Sequence, residues 1–422
     1  MKVLLVNTYD KGGAAKACLR LHNGLLDLGI DSKVVLRDNS TTIPNTYQFS
    51  EVKTNTFKSL KQKFSNGLRK VGILPTKAKT ERQKFLEERY TKGLEFFSFP
   101  DSHLDITKSQ LYKEADIINL HWVANFMDYA SFFKKNTKPV VWTLHDMNPF
   151  TGGEHYKETI QGMDALGFPI QRTLSKTYHG ITEDVLRTKQ LALQNSNNLH
   201  IVTLCNWMTN EVKANSIFKQ YPLYTIPNGI DSNIFKLRDK IELRNYFNIP
   251  KDKTVLLFIA DSISNRRKGY AFLQHALHSL ARTDVVLCAV GKTNGQPLTN
   301  QSTVELGEIK DEVTMSKAYA MADVFVIPSL MDNLPNTVIE SLLCGTPVIG
   351  FPVGGITDMI TDGKNGFLTK SISSTALKAS IMDFLAQKEQ FNRKEISQNA
   401  KNKYDITLQS KAYAALFHSI LN

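Results

Sequence analysis

The chain has 422 residues, enough for two or three domains with full cores. With 42% apolar and 22% charged residues it is not a mainly disordered chain, and 23 glycines and 14 prolines are too few for a collagen-like or linker-rich one. The net charge is +12, but twelve Lys/Arg against three acids between positions 53 and 92 supply +9 of it. The remainder is nearly balanced, and no nucleic-acid partner is expected.

In chain order, short β-rich runs alternate with helical patterns. The first run, 2–6, breaks at Asn7, too short for a signal-peptide core. Strands are predicted at 2–6, 33–36, 117–120, 140–144, 201–204 and 224–226. A second series is predicted at 255–259, 285–290, 324–327, 347–350 and 366–368. Helical patterns lie between them at 15–28, 272–280, 314–321 and 336–343. Apolar runs with little alternation predict strands covered on both faces. The expected fold class is α/β, two doubly wound parallel-sheet units in series.

Pro227, Asn228 and Gly229 follow a strand and mark the boundary between the units. Leu408, Ala412, Ala415, Leu416 and Ile420 give the last helix one core-facing stripe. Two facing units place a cleft between the C-terminal ends of their strands, where ligands bind in open sheets. No apolar run approaches the roughly 18 residues of a membrane-spanning helix. Cysteines 18, 205, 288 and 344 share no short spacing, so neither a zinc ribbon nor a disulfide framework is expected. A reduced, cytoplasmic location is expected from that usage.

The basic segment begins as an amphipathic helix. Phe57, Leu60, Phe64, Leu68 and Val71 form one stripe, with Lys53, Lys58, Lys61, Lys63, Arg69 and Lys70 on or beside the other face. Such a helix over 53–72 fits an anionic membrane surface, giving a peripheral location on the inner face of the cell membrane. It equally fits a solvated helix packing its stripe on the core.

Five loops carry residues suited to chemistry. Gly12-Gly13 follows the first strand and precedes a helix, where backbone can approach an anion. It is not a G-x-G-x-x-G, which disfavours a nicotinamide site. His145 and Asp146 end the strand 140–144, and His121 follows 117–120, at strand tips facing the cleft. Each histidine could equally be structural. Arg266, Arg267 and Lys268 sit in a turn before a helix, suited to a diphosphate or simply exposed.

The loop and helix start from Pro328 to Glu340 place two carboxylates, Asp332 and Glu340, eight positions apart. Each can accept hydrogen bonds from vicinal hydroxyls, and free N–H groups between them can hold phosphate. Asn333 or Leu334 is expected as the cap, with Pro335 in the first turn. Gly354-Gly355 reads as turn chemistry.

Together these residues resemble a retaining glycosyltransferase of the GT-B fold, family 4. The closest agreement is ADVFVIPSLMDNLPNTVIESLLCGTPVIGFPVGG at 322–355, similar to that family's E-x7-E region. WTLHDMNPFTGGEHY at 142–156 resembles the subgroup that builds bacterial surface polysaccharides, and the segments 12–32 and 226–235 agree with it. Residues 1–226 would then form an acceptor-binding domain carrying the basic insertion 53–92. Residues 227–404 would bind the nucleotide sugar, and the helix within 405–422 would pack back on the first domain.

The resemblance implies metal-independent transfer from a UDP- or GDP-sugar to a glycan or lipid-linked acceptor, with no cofactor. Glu340 would hold ribose and Asp332 the donor sugar. Amides at Asn333, Leu334, Asn336, Thr337 and Val338 would contact sugar and phosphate. Lys268 with Arg267 or Arg266 would neutralise the diphosphate, and Gly12 and Gly13 would face it. Gly307, Glu308 and Ile309 would border the base. His145 would lie at the sugar, as a catalytic group with Asp332 and Lys268, and His121 and Asp146 on the acceptor side. Three positions depart from the pattern: Asp332 replaces a glutamate, Asp261 stands where many relatives have arginine, and cysteines that some members carry after GGxHY are missing. The other readings of the same residues are a catalytically silent sugar-nucleotide-binding scaffold and a sugar-nucleotide epimerase.

Overall fold

Two parallel sheets organise the chain. The computed structural model describes residues 1–49, 79–157, 159–173, 179–194, 196–292 and 303–422. The first sheet is built from β1 (Lys2–Tyr9), β2 (Asp31–Asp38), β3 (Thr46–Gln48), β4 (Ile117–Leu120), β5 (Val140–Thr143), β8 (Leu199–Thr203) and β9 (Leu223–Thr225). Its order is β3-β2-β1-β4-β5-β8-β9. Between β5 and β8 the chain forms an antiparallel hairpin of β6 (Ile160–Met163) and β7 (Pro169–Gln171).

The second sheet contains β10 (Thr254–Ser262), β11 (Val285–Lys292), β12 (Thr303–Gly307), β13 (Val324–Ile327), β14 (Val348–Gly350) and β15 (Gly366–Leu368). Its order is β12-β11-β10-β13-β14-β15. In each sheet the order reverses beside the first strand, between β1 and β4 and between β10 and β13. Such reversals leave crevices at the strands' C-terminal ends.

The predicted strands at 117–120, 324–327 and 366–368 coincide with the observed ones. β4, β5 and β13 are buried at every position, as unalternating apolar runs require. β3, the hairpin and β12 were not legible: three to five residues with polar or glycine interruptions carry no periodic signal. The basic helix expected over 53–72 lies outside the described residues. Of the basic segment, Glu81–Thr91 is helical, with a capping box between Thr80 and Gln83.

The final helix, Ile406–Leu421, crosses back to the first sheet. Tyr413, Leu416 and Phe417 share one core with Val3, Leu5, Leu21 and Leu25, and the Tyr413 hydroxyl lies 2.8 Å from Thr143 Oγ1. Its close approach to the helix Gly13–Asp27 depends on Gly24. A Cβ there would fall 1.9 Å from Ser410 Oγ.

Candidate active site

The helix Asn336–Leu343 begins where the loop after β13 reaches the opposite domain. Its cap is Pro335, not the expected Asn333 or Leu334. Proline fixes φ and leaves the following N–H groups outside any helical bond. Among the described residues, the N–H groups of Asn333, Leu334, Asn336 and Thr337 find no protein acceptor, whereas Val338 donates to Pro335 O at 3.0 Å.

The helix Gly13–Asp27 approaches from the other side of the cleft, capped by Gly12 without a side-chain hydrogen bond. A Cβ on Gly12 or Gly13 would meet nothing within 4 Å, so this backbone borders open space. Asn336 Nδ2 donates to Gly13 O at 3.2 Å, and Asn228 Nδ2 donates to Asn336 Oδ1 at 2.9 Å. Two positive helix ends therefore meet across the cleft, an arrangement that favours an anion.

The loop between β13 and this helix is held from behind by Gly354-Gly355. A Cβ on Gly354 would stand 1.9 Å from Asp332 O, and one on Gly355 1.7 Å from Asn333 O. Gly355 N–H donates to Asp332 O at 3.1 Å. The pair is turn chemistry, as expected, and that turn sets the height of the site loop.

Asp332 is buried and holds two cations. Arg267 Nη1 donates to its Oδ1 at 2.7 Å, and Lys268 Nζ stands 2.9 Å from Oδ2. Burial opposes its charge, but Lys268 and then Arg267 pull its pKa down to about 2. Arg267 also pairs with Glu95 at 3.1 Å and packs over the Tyr156 ring at 5.2 Å, so it is half-buried among the first domain's residues. Lys268 keeps more exposure, 23% of its side chain against 15% for Arg267. Two cations and two carboxylates leave this cluster near neutral, so the attraction for an anion falls to Lys268 and the helix ends.

Arg266 departs from the expected diphosphate clamp. Its guanidinium crosses the cleft and donates to Lys92 O at 2.8 Å and Gln161 O at 2.7 Å. Within the 3-10 turn Arg266–Lys268, Arg267 and Lys268 turn onto Asp332 while Arg266 turns to the first domain.

Glu340 is buried in the second turn of its helix. Arg20 Nη2 donates to its Oε1 at 2.9 Å, and the Tyr319 hydroxyl to its Oε2 at 3.0 Å. Arg20 also binds Glu312 at 2.5 Å. Burial works against the charge on Arg20, yet Glu340 first and Glu312 second hold its pKa above the ordinary value. A carboxylate offers about four lone-pair sites, so one on each Glu340 oxygen stays open to vicinal hydroxyls. Arg20 was missed in the sequence. Its signal is a charged residue among Ala17, Leu21, Gly24 and Leu25, on the buried face of the helix. Gly307 ends β12 and, like Glu308, is exposed, whereas Ile309 is half-buried against the core on the way to Glu312. Glu308 lies 3.5 Å from Lys292.

At the tip of the first sheet, His121 and His145 stack and share a 2.8 Å hydrogen bond. Asn119 Nδ2 donates to Val141 O and Thr143 Oγ1, so its Oδ1 accepts from His121 Nε2 at 3.1 Å. His121 Nδ1 must then accept from His145 Nε2–H. That leaves a lone pair on His145 Nδ1, which no described protein group approaches as a donor. Burial pushes the pKa of His145 down to about 4, with Asp146 opposing, and burial and then His145 hold that of His121 well below its ordinary value. His145 is therefore neutral at pH 7.

His121 and Asp146, expected on the acceptor side, are both buried. His121 is 3% exposed and tied between Asn119 and His145. Asp146 is buried and accepts from Trp122 Nε1 at 2.7 Å, His155 Nδ1 at 2.6 Å and Asn148 N at 2.9 Å. Its oxygens brace the loop after β5. Asn333 joins the two halves: its Nδ2 donates to Leu144 O at 3.0 Å and His145 O at 3.2 Å.

Residues 253–387 match the family described as Glycosyl transferases group 1. The chain is similar to a D-inositol 3-phosphate glycosyltransferase of Segniliparus rotundus, 28% identical over 178 residues, which is 39% of each chain. It is likewise similar to a lipopolysaccharide 1,2-N-acetylglucosaminetransferase of Salmonella typhimurium, 29% identical over 198 residues, 42% of this chain and 50% of that one. The matched stretches span two fifths to one half of these curated relatives.

Among solved structures, sucrose-phosphate synthase from Thermosynechococcus elongatus superposes with a TM-score of 0.67 at 16% identity, covering 99% of this chain and 100% of that one. Anabaena Alr3699/HepE in complex with UDP and glucose gives 0.65 at 17% identity with the same coverage. WaaG, a glycosyltransferase involved in lipopolysaccharide biosynthesis, gives 0.60 at 15% identity, covering 98% and 99%. The likeness is one of fold: the chain has the GT-B arrangement of two facing parallel-sheet domains.

Proposed function

We propose that the protein is a retaining glycosyltransferase. It moves a sugar from a nucleotide diphosphate sugar, a UDP-sugar before a GDP-sugar, to a hydroxyl of a glycan or lipid-linked acceptor in bacterial surface-polysaccharide synthesis. The observation that carries this reading is the meeting of the helix ends at Gly13 and Asn336 beside Lys268 and Asp332. The group 1 match over 253–387 supports it, as do the named activities of the relatives and the UDP held by the Anabaena protein.

The donor's diphosphate lies against the free N–H groups of Asn336 and Thr337 and the Gly12-Gly13 turn. Glu340 accepts the ribose hydroxyls at the lone pairs that Arg20 and Tyr319 leave open. When the glycosidic bond breaks, negative charge gathers on the β-phosphate. The two helix ends and Lys268 offset it without a divalent ion, already oriented before the bond breaks. Asp332 and the lone pair of His145 Nδ1 accept hydroxyls of the donor sugar from opposite domains. The acceptor hydroxyl attacks on the face the nucleotide leaves, its proton passes to the departing phosphate oxygen, and the anomeric configuration is retained. The interdomain bonds of Asn333 and Asn336 keep water from this space.

The test is release of UDP or GDP from a panel of nucleotide sugars in the presence of EDTA. One donor should be turned over, and Glu340→Ala and Lys268→Ala should each slow it at least tenfold. Both variants keeping full activity would contradict the site, and binding without turnover would favour a silent scaffold instead.

A further inference from the structure

Beside the cleft, in the first domain, lies a cavity of about 490 Å³. That is within the roughly 300–1,000 Å³ of small-molecule sites. Its walls come from the helix Glu81–Thr91, the loop after β5, the β6–β7 hairpin and the helix His179–Leu193. We propose that this cavity receives a sugar unit of the acceptor, read by the carboxylate of Glu154. The inference rests on the glycosyltransferase reading and adds the place and the reading group for its second substrate.

Three observations converge on it. First, Glu154 is held in place. Arg89 Nη1 at 2.7 Å and Arg172 Nη2 at 2.8 Å both donate to its Oε1. Its backbone bridges to Phe97, and Ser98 N–H donates to the adjacent Gly153 O at 2.9 Å. Lys189, buried beneath the loop, donates to Asn148 O and to Thr151 O at 3.1 Å. Among the described residues nothing donates to Glu154 Oε2, and Glu154 lines the cavity. A fixed carboxylate oxygen that takes no protein hydrogen is an acceptor for hydroxyl groups.

Second, Phe85, Phe150 and Tyr156 add aromatic surface to the lining, with Thr182 and Gln161 among its polar positions. Aromatic rings beside a hydroxyl-accepting carboxylate suit a sugar, which has apolar C–H faces and a polar edge. Third, the cavity adjoins the donor machinery. Tyr156 lies under Arg267, the partner of Asp332, and Arg266 of the second domain binds the carbonyls of Lys92 and Gln161 on the cavity's wall. Arg266 thereby ties the cavity's wall to the second domain.

The experiment uses the full chain with UDP and a panel of p-nitrophenyl glycosides of glucose, galactose, mannose and N-acetylglucosamine, read by saturation-transfer NMR. At least one glycoside should bind saturably. Thr182→Trp, which fills the cavity from a helix surface, should weaken that glycoside at least tenfold, and Glu154→Gln at least fivefold, while both variants bind UDP like the parent. Equal glycoside binding by the parent and Thr182→Trp would overturn the proposal, as would no saturable binding to the parent. Glycoside binding that is sensitive to Thr182→Trp, in a protein that fails to bind UDP or GDP, would keep the cavity as a sugar site and instead refute the donor site.

Discussion

Replacing Arg20 by alanine separates two roles of one ion pair. Arg20 and Glu340 are 2.9 Å apart, with side chains 9% and 6% exposed. Removing one partner of such a buried pair leaves an uncompensated charge and costs about 3–5 kcal/mol of stability. Tyr319 remains on Glu340 Oε2, which places the expected loss at about 3 kcal/mol, the low end of that range. For binding, Arg20 fixes the carboxylate that accepts the ribose. A hydrogen bond to a charged group contributes about 1.5–3 kcal/mol. Losing the orientation of that bond should raise the Kd for UDP about tenfold to a hundredfold. Calorimetric titration with UDP and urea unfolding measure the two effects. Adding Glu340→Gln to Arg20→Ala removes the stranded charge, so the double variant should regain part of the stability and none of the affinity. Unchanged UDP affinity in Arg20→Ala would refute the assignment of Glu340 to the nucleotide. A double variant no more stable than the single one would refute the stranded charge.

Other outcomes follow from the same contacts. His145, with its pKa near 4, stays neutral from pH 6 to 8, so donor hydrolysis should show no histidine limb there, and a limb near pH 6.5 would contradict the tautomer chain from Asn119. Asp332 has a folded pKa of about 2 against 3.8, so its contribution is complete above about pH 4 and lost as pH falls through 2; it amounts to about 2 kcal/mol, and urea melts of Asp332→Asn should lack that acid limb. Asn333→Ala removes both donors to the carbonyls of Leu144 and His145, and should raise the donor KM about tenfold with a smaller change in kcat; equal KM would show that these bonds do not hold the cleft. If the basic segment 53–72 is a membrane anchor, the protein should float with anionic vesicles at low salt and leave them at high salt, whereas no flotation would refute it.

The elements most visible in the sequence are those with an unbroken apolar signal. β4 and β13 lie in the middle of their sheets, covered on both faces, and their residues are apolar nearly throughout. The helix start at Asn336 was legible because proline and the helix pattern mark it locally, although the cap is Pro335 and the distant Gly354-Gly355 turn sets the loop's height. What the sequence hid are contacts between distant segments. Arg20 and Glu340 are 320 positions apart, and Arg266 meets Gln161 at 105. No local spacing links such pairs. The inward setting of His121 and Asp146 was hidden for a related reason: a strand tip faces the cleft, but a polar side chain there can turn to its own strand or to a neighbouring loop. The hydrogen bonds of His121 to Asn119 and His145, and of Asp146 to His155, are of that kind.

The most direct trial is a crystal of the protein grown with UDP and diffracted in the presence of EDTA. The pyrophosphate should lie between the amides of Asn336 and Thr337 and the Gly12-Gly13 backbone, with the ribose on Glu340. Nucleotide bound at another face, or turned so that its ribose lies away from Glu340, would contradict the assignment.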